Sequence, residues 1–330
     1  MPKIFISTLP FGEVEPRPIS LLEETGWKFM INPLEKKLSP NEVVEMALDC
    51  DGIIAGTEDL RPLIDRSKKL KIIARVGIGL DSVPLALCKE KGIKVIYTPD
   101  AVTMAVAELT VGIMIGLTRH VYLADKNFRC GEWERKQGKR IGKSIIGIIG
   151  FGRIGTNVAR LLIPFHPHQV LVNDLNDKSV EIQKFKKHGL SIRHTDKKEI
   201  YQNADIITLH VPLYLKTKGM INAQTFHQFK QDVYLINLAR GGIINEADLF
   251  DALKEKRIGG AALDCFEQEP YCGTLTGLDN ILLTQHIGSC SFDCRMKMEI
   301  EATEDLIRYF KNEPLKNEVP EEEFWYQLQV

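Results

Sequence analysis

The stretch from Lys143 to Gly155, KSIIGIIGFGRIG, constrains the fold more than any other part of this chain. A short apolar run, Ile145 to Ile149, opens into Gly150, Gly152 and Gly155 at the spacing G-x-G-x-x-G, and residues 157–162 continue with helical character. The order is strand, tight turn, helix. Gly150 permits the bend, Gly152 lets the backbone approach a pyrophosphate, and Gly155 lets helix and strand pack closely. Free N–H groups and the macrodipole at the helix N-terminus then favour negative charge. A glycine-rich bend that binds nothing can share this spacing, so the next element decides. A second apolar run, Val170-Leu171-Val172, ends at Asp174, 24 residues beyond Gly150. An acid at the end of the second strand is where the ribose hydroxyls of a dinucleotide are bound. That carboxylate repels a 2′-phosphate and no Arg follows directly, so NAD is expected rather than NADP.

The 330 residues suffice for two domains with sizeable cores. A hydrophobic content of 44% and a charged content of 26% are ordinary for a globular chain. The formal net charge of -1 gives no electrostatic reason to expect nucleic acid or an anionic membrane. A small molecule is the expected partner. The seven cysteines (50, 88, 130, 265, 272, 290 and 294) are odd in number, scattered and without a C-x-x-C pair. Reduced thiols in a cytoplasmic setting are therefore expected. Cys290-x-x-x-Cys294 has no second ligand pair at a zinc-like spacing, so no metal is expected. The opening MPKIFIST reads as a first strand.

Apolar runs alternate with helical ones along the chain, which implies parallel sheets. In the first third, strands are expected at 3–7, 28–31, 52–55, 71–76 and 95–97, with helices between them and Ser39 as an N-cap. Thr98-Pro99 marks a crossing between units, because proline disfavours helix in the residue before it. A second series of strands is expected near 144–149, 169–174, 191–193, 205–210, 233–237, 260–264 and 281–284. Residues 101–118 are almost continuously apolar, yet Glu108 in their middle and their place in an α/β pattern argue against a membrane span. The expectation is one long helix from Thr103 to about Lys126, then a loop carrying Trp133, an amphipathic helix from Ser291 to about Lys311, and a tail over 318–325.

Three residues at expected strand ends could do chemistry. Arg240 follows the run 234–237 and precedes Gly241-Gly242, Glu269 stands before Pro270, and His286 follows the run 281–284. Taken singly, each has an ordinary reading as a solvated or structural residue. Together they make a reaction centre. Taking a hydride from a 2-hydroxy acid also requires taking the hydroxyl proton, for which His is suited. A carboxylate beside it orients the ring, and Arg holds a carboxylate with two parallel bonds while polarising the adjacent carbonyl. Arg75-Val76-Gly77-Ile78-Gly79 closes a strand of the first series and offers backbone N–H groups to an anion, or is a plain strand-to-helix turn.

The ordered motifs RVGIGLD (75–81), AVAEL (105–109), GEWE (131–134), the glycine turn, LHVPL (209–213), INLARGGIINE (236–246), ALDCFEQEP (262–270) and TQHIGS (284–289) resemble those of the D-isomer-specific 2-hydroxyacid dehydrogenases, in the phosphoglycerate dehydrogenase and glyoxylate reductase branch. The resemblance runs across nearly the whole chain. It implies two doubly wound parallel-sheet α/β domains, with a Rossmann NAD-binding domain (99–290) inserted in a flavodoxin-like substrate domain (1–98 and 291–330). It implies Arg240, Glu269 and His286 as the catalytic set. Cofactor contacts would come from Gly150, Gly152, Arg153, Ile154, Gly155, Asp174, His210, Val211, Pro212, Ala239, Asp264 and His286, with Asp264 on the nicotinamide carboxamide. Substrate contacts would come from Arg75, Val76, Gly77, Ile78, Gly79, Arg240 and His286. The activity implied is NAD-dependent interconversion of a D-2-hydroxy acid and its 2-oxo acid, in a homodimer to which the loop around Trp133 contributes. The alternative within the same resemblance is an NAD(H)-sensing, corepressor-like binding protein with little turnover.

Two departures stand out. The residue before the catalytic His is usually Pro in the family and is Gln285 here, which leaves the backbone less restricted. The first-domain loop, basic in phosphoglycerate-using members, reads Ile54-Ala55-Gly56-Thr57-Glu58, and Glu58 would repel a phosphate if it pointed at the substrate.

Overall fold

The computed structural model describes residues 1–328. The last two residues of the expected substrate unit, 329 and 330, lie outside the described residues. Two compact units are present, Met1–Val102 together with Ser289–Val330, and Thr103–Gly288.

The first unit holds a five-stranded sheet of β1 (Lys3–Ile6), β2 (Lys28–Ile31), β3 (Gly52–Ala55), β4 (Ile72–Arg75) and β5 (Lys94–Ile96). All pairings are parallel and the order is β2-β1-β3-β4-β5, the flavodoxin-like arrangement. β3 and β4 are buried at every position, as unbroken apolar runs of a covered parallel sheet must be, whereas edge strand β2 alternates. Ser39 caps the helix Pro40–Ala47 as expected: Glu42 N–H donates to Ser39 Oγ at 3.4 Å, and the Glu42 carboxylate accepts from Ser39 N–H at 2.8 Å. The amphipathic helix Phe292–Phe310 packs against β3, β4 and β5.

The expected tail is structured. Glu318 bridges antiparallel to Ile96, and the helix Glu321–Gln327 lies on the helix Leu85–Glu90. Gln327 locks that contact: its amide donates to the carbonyls of Leu80 (3.0 Å) and Val83 (2.8 Å) and accepts from Leu85 N–H (2.6 Å).

The second unit holds β6 (Ile145–Ile149), β7 (Gln169–Asn173), β8 (Ile192–His194), β9 (Ile206–Leu209), β10 (Tyr234–Asn237), β11 (Gly260–Leu263) and β12 (Ile281–Leu283), in the order β12-β11-β10-β9-β6-β7-β8. Every pairing is parallel, and the order reverses between β6 and β9, the switch point of a Rossmann sheet. The core beneath β9, β10 and β11 gathers Ile207, Leu209, Leu235, Leu249, Leu253 and Leu263, all essentially inaccessible to water.

The single long helix expected over 103–126 is two helices, Thr103–Thr118 and Val121–Arg129, bent by 60°. His120 at the break is left-handed, with φ +55°. The Thr118 carbonyl accepts from Lys139 N–H at 3.0 Å, so the returning chain takes an acceptor that a continuing helix would have used. Among the described residues no single helix is long and apolar enough to cross a membrane.

Candidate active site

The glycine turn emerges from β6 at the switch point. Gly150 has φ +94°, and a Cβ there would stand 2.4 Å from the His210 carbonyl oxygen that follows β9. A Cβ on Gly155 would meet the Gly150 carbonyl oxygen at 2.1 Å. Both neighbours are backbone and cannot yield. A Cβ on Gly152 would meet nothing within 4 Å, so this position faces open space at the N-terminus of the helix Arg153–Leu162, which has no side-chain cap. Asp174 follows β7 and braces the turn, accepting from Phe151 N–H at 2.7 Å and from Asn176 N–H at 2.9 Å. The open backbone at Gly152 and the acid beside it fit a dinucleotide.

Beyond the switch point, His210 sits 3.0 Å from Thr208 Oγ1, and burial pushes its imidazole down to about 3. It is a neutral ring at working pH and supplies no proton. Val211 lies against Gly150, and the Pro212 carbonyl accepts from Thr217 Oγ1 at 2.7 Å, fixing the segment after β9.

Arg240 is held by the end of β10. Asn237, 1% exposed, donates from its amide to the Arg240 carbonyl at 2.8 Å and accepts from Ala239 N–H at 3.0 Å, folding residues 237–240 into a turn. The Arg240 guanidinium donates to the Ala239 carbonyl at 2.7 Å. A Cβ on Gly241 would stand 1.9 Å from the Phe266 carbonyl oxygen, so the Arg240 turn presses directly on the loop that follows β11.

That loop carries Glu269. Its carboxylate accepts from Phe266 N–H at 3.1 Å and lies 2.8 and 3.0 Å from His286 Nδ1. Both members of the pair are solvent-accessible. His286 has φ +55°, a left-handed conformation unusual for a side chain of this size. The strain is held by Asp264, which is fully buried at the end of β11. Its carboxylate accepts from Thr284 Oγ1 (2.6 Å), Ile287 N–H (2.8 Å) and Gly288 N–H (2.9 Å), clamping both flanks of His286. Gln285, in place of the family's usual proline, is exposed between these anchors.

In the other unit, the expected substrate stretch divides. Val76 N–H donates to the Ala55 carbonyl and Gly77 N–H to Thr98 Oγ1 at 2.8 Å, so both serve the fold. Arg75 is buried and turns back onto the Val76 carbonyl. The backbone N–H groups of Ile78 and Gly79 have no protein acceptor among the described residues. The conditional expectation for Glu58 meets a specific geometry: its side chain is 4% exposed, and one carboxylate oxygen accepts from Gly56 N–H (2.9 Å) and Ser7 Oγ (3.3 Å). It braces its own loop.

The roles of Asn237 and Thr284 and the clamping use of Asp264 are not marked in the sequence, and Thr98 is marked there only as part of the crossing between units. Asn237 and Thr284 carried a signal in lying at strand ends, where a buried polar residue needs partners.

A family model described as "D-isomer specific 2-hydroxyacid dehydrogenase, NAD binding domain" matches residues 111–288, more than half the chain. The chain belongs to the D-isomer-specific 2-hydroxyacid dehydrogenase family. Members of this family are NAD-dependent oxidoreductases, and the matched residues 111–288 correspond to their NAD-binding domain. The D-3-phosphoglycerate dehydrogenase of Methanocaldococcus jannaschii is 35% identical over 308 residues, 91% of this chain and 57% of that protein. The chain thus spans little more than half of that relative's length. The hydroxypyruvate reductase of Thermotoga maritima is 33% identical over 279 residues, 82% of this chain and 88% of that protein. The crystal structure of a protein from Thermus thermophilus superposes with a TM-score of 0.85 at 27% identity, covering 96% of this chain and 100% of that one.

Proposed function

We propose that this dehydrogenase interconverts a D-2-hydroxy acid and its 2-oxo acid. The observation that carries the reading is the Glu269–His286 pair at 2.8 Å, with Arg240 on the adjoining strand end of the sheet that bears the glycine turn. Gly150, Gly152, Arg153, Ile154, Gly155, Asp174, His210, Val211, Pro212, Ala239 and Asp264 line the cofactor position, and Asp174 favours NAD over NADP. Bound NAD supplies the hydride acceptor in oxidation and, reduced, the donor in the reverse direction.

The chain's own residues do the rest. Glu269 accepts the Nδ1 proton of His286, which fixes the ring so that Nε2 faces the reacting oxygen. In the reducing direction Nε2 gives its proton to the carbonyl oxygen as negative charge gathers there, and in oxidation it takes the hydroxyl proton. Arg240 pairs with the substrate carboxylate and draws electron density from the adjacent carbonyl. Asp264 acts chiefly as a positioning residue; three of its four acceptor positions serve residues 284–288, and the fourth suits the nicotinamide carboxamide. In the first unit, the N–H groups of Ile78 and Gly79 suit a substrate carboxylate, while Val76 and Gly77 contribute by shaping their turn and Arg75 by bracing it.

The finer assignments belong to the same reading. Residues 1–98 and 291–330 form the substrate domain and 99–290 the NAD domain. A homodimer is supported by an apolar surface on the second unit, where Trp133 (81% exposed), Phe128 (66%) and Val121 (55%) stand out from the fold. A cytoplasmic setting agrees with the free thiols at all seven cysteines.

The test is a panel of 2-oxo acids, with and without a terminal phosphate, in the presence of NADH. Turnover of at least one member, lost about 10²–10⁴-fold in His286→Ala, supports the reading. NADH binding with no turnover on any member would favour the binding-only alternative.

A further inference from the structure

Three chemically different donors converge beside the acid/base pair. The Cys265 sulfur, a Glu269 carboxylate oxygen and a His286 ring nitrogen lie within 4.8 Å of one another. Cys265 is 3% exposed and follows directly on the buried clamp Asp264; its thiol donates to the Ala239 carbonyl at 3.7 Å. It is a fixed wall of the site, whereas Glu269 and His286 are open to solvent.

This donor mix has a preference. Sulfur with imidazole suits Zn²⁺ and Cd²⁺, while Mg²⁺ and Ca²⁺ take oxygen ligands. A tetrahedral ion with bonds of about 2.0–2.3 Å holds its ligand atoms roughly 3.5 Å apart. The present separations, none above 4.8 Å, exceed that by no more than about 1.3 Å, a gap that side-chain torsions of the two accessible residues close while Cys265 stays in place. Three protein ligands leave a fourth position for water, the arrangement of an exchangeable site.

We propose that Cys265, Glu269 and His286 form an inhibitory site for a soft divalent cation of the Zn²⁺ or Cd²⁺ type. On binding, the metal bonds to the Cys265 sulfur, His286 Nδ1 and a Glu269 carboxylate oxygen; the thiol proton leaves to solvent, and the Nδ1 proton is exchanged through solvent onto Nε2, so the ring stays neutral and nothing is oxidised or reduced. The 2.8 Å hydrogen bond between Glu269 and His286 is replaced by joint coordination, so the ring can no longer carry its proton to the substrate. The inhibition rests on the acid/base role proposed for His286, whereas the metal site itself does not.

Cys265 is the residue that separates the two, since it has no part in the reaction. The experiment titrates the full chain with Cd²⁺, reading thiolate-to-metal charge-transfer absorption, and in parallel with Zn²⁺, reading oxo-acid reduction by NADH. Expected results are one charge-transfer-active Cd²⁺ per chain and reversal of Zn²⁺ inhibition by a chelator. Cys265→Ser should keep metal-free turnover within about twofold, lose the absorption, and need at least about tenfold more Zn²⁺ for half-inhibition. Cys265→Ala serves as the second variant if the serine disturbs folding, with thermal unfolding as the check on both. Unchanged absorption and inhibition in both variants overturn the proposal and place the metal at other thiols, such as the exposed Cys130, Cys272 and Cys290. If no oxo acid is turned over at all, the absorption and its loss still decide the metal site.

Discussion

Replacing Asp264 by Asn tests whether a buried carboxylate keeps His286 in position. The substitution preserves size and removes an acceptor. One amide oxygen can retain the bonds from Thr284 Oγ1 and Ile287 N–H, while the new NH₂ faces Gly288 N–H, which had donated at 2.9 Å. A hydrogen bond to a charged group contributes about 1.5–3 kcal/mol net, and a buried donor left unsatisfied costs about 1–3 kcal/mol. The expected loss is therefore about 3 kcal/mol. It is smaller than the roughly 5–15 kcal/mol that keeps a domain folded, so the chain should fold with a lowered Tm, by roughly 6–12 °C on the usual scaling. The segment 284–288 should then relax. His286, at φ +55°, holds a conformation that costs on the order of 1 kcal/mol and lasts only while its surroundings impose it. A displacement of about 1 Å costs about 10²-fold in rate. Three assays on the purified variant decide it: thermal unfolding, kcat with the best oxo acid, and NADH affinity by fluorescence. The expectation is a lowered Tm and a kcat down about 10²-fold, with NADH affinity within a few-fold. A variant with wild-type Tm and kcat would refute the clamp; wild-type Tm with weakened NADH binding would leave Asp264 only the carboxamide contact.

Four further substitutions separate folding from binding. Gly155→Ala drives a Cβ to 2.1 Å from a backbone oxygen and should lower both Tm and NADH affinity, whereas Gly152→Ala meets nothing within 4 Å and should keep its Tm while NADH binds at least about tenfold more weakly; equal NADH affinity in Gly152→Ala and wild type would contradict the pyrophosphate position. Asp174→Ala should narrow the ratio of NADH to NADPH efficiency by at least about tenfold, since like charge is removed from beside the 2′ position, and an unchanged ratio would count against the acid as the discriminator. For His210, burial holds the folded imidazole down to about 3 against about 6.5 in the unfolded chain. Between those values the unfolded state binds a proton that the folded state does not, so stability falls as pH falls, by about 2 kcal/mol between pH 6.5 and pH 5. Urea unfolding at pH 5 and pH 8 should show that part of the slope vanish in His210→Asn; an identical slope would mean the ring is protonated in the fold.

Much of this molecule is legible along the chain. The unbroken apolar runs mark the strands, because a parallel sheet covered on both faces leaves no room for polar residues. The glycine turn is readable because at Gly150 and Gly155 a Cβ would stand 2.4 and 2.1 Å from backbone oxygens, which only glycine avoids, while Gly152 faces open space. The break at His120 was not legible. No proline or glycine stands between Thr118 and Val121; the helix stops because Lys139, 21 residues later, takes the Thr118 carbonyl. The tail was misread for a similar reason, since its order comes from Gln327 bonding to a turn more than 240 residues earlier.

The sequence by itself determined which residue types are available for the chemistry: an arginine, a glutamate and a histidine at three strand ends, and an acid after the glycine turn. Only the tertiary structure decided that they meet. β11 and β12 run parallel with Leu263 opposite Leu283, so Asp264 and Thr284 leave the sheet abreast, and Asn237 opposite Leu263 brings the Arg240 turn to the same edge. Register is set by the burial of whole strand faces, a sum over many side chains, and a shift of one residue would turn every face over. That collective term, which no local spacing contains, puts Glu269 against His286 and Cys265 beside them both.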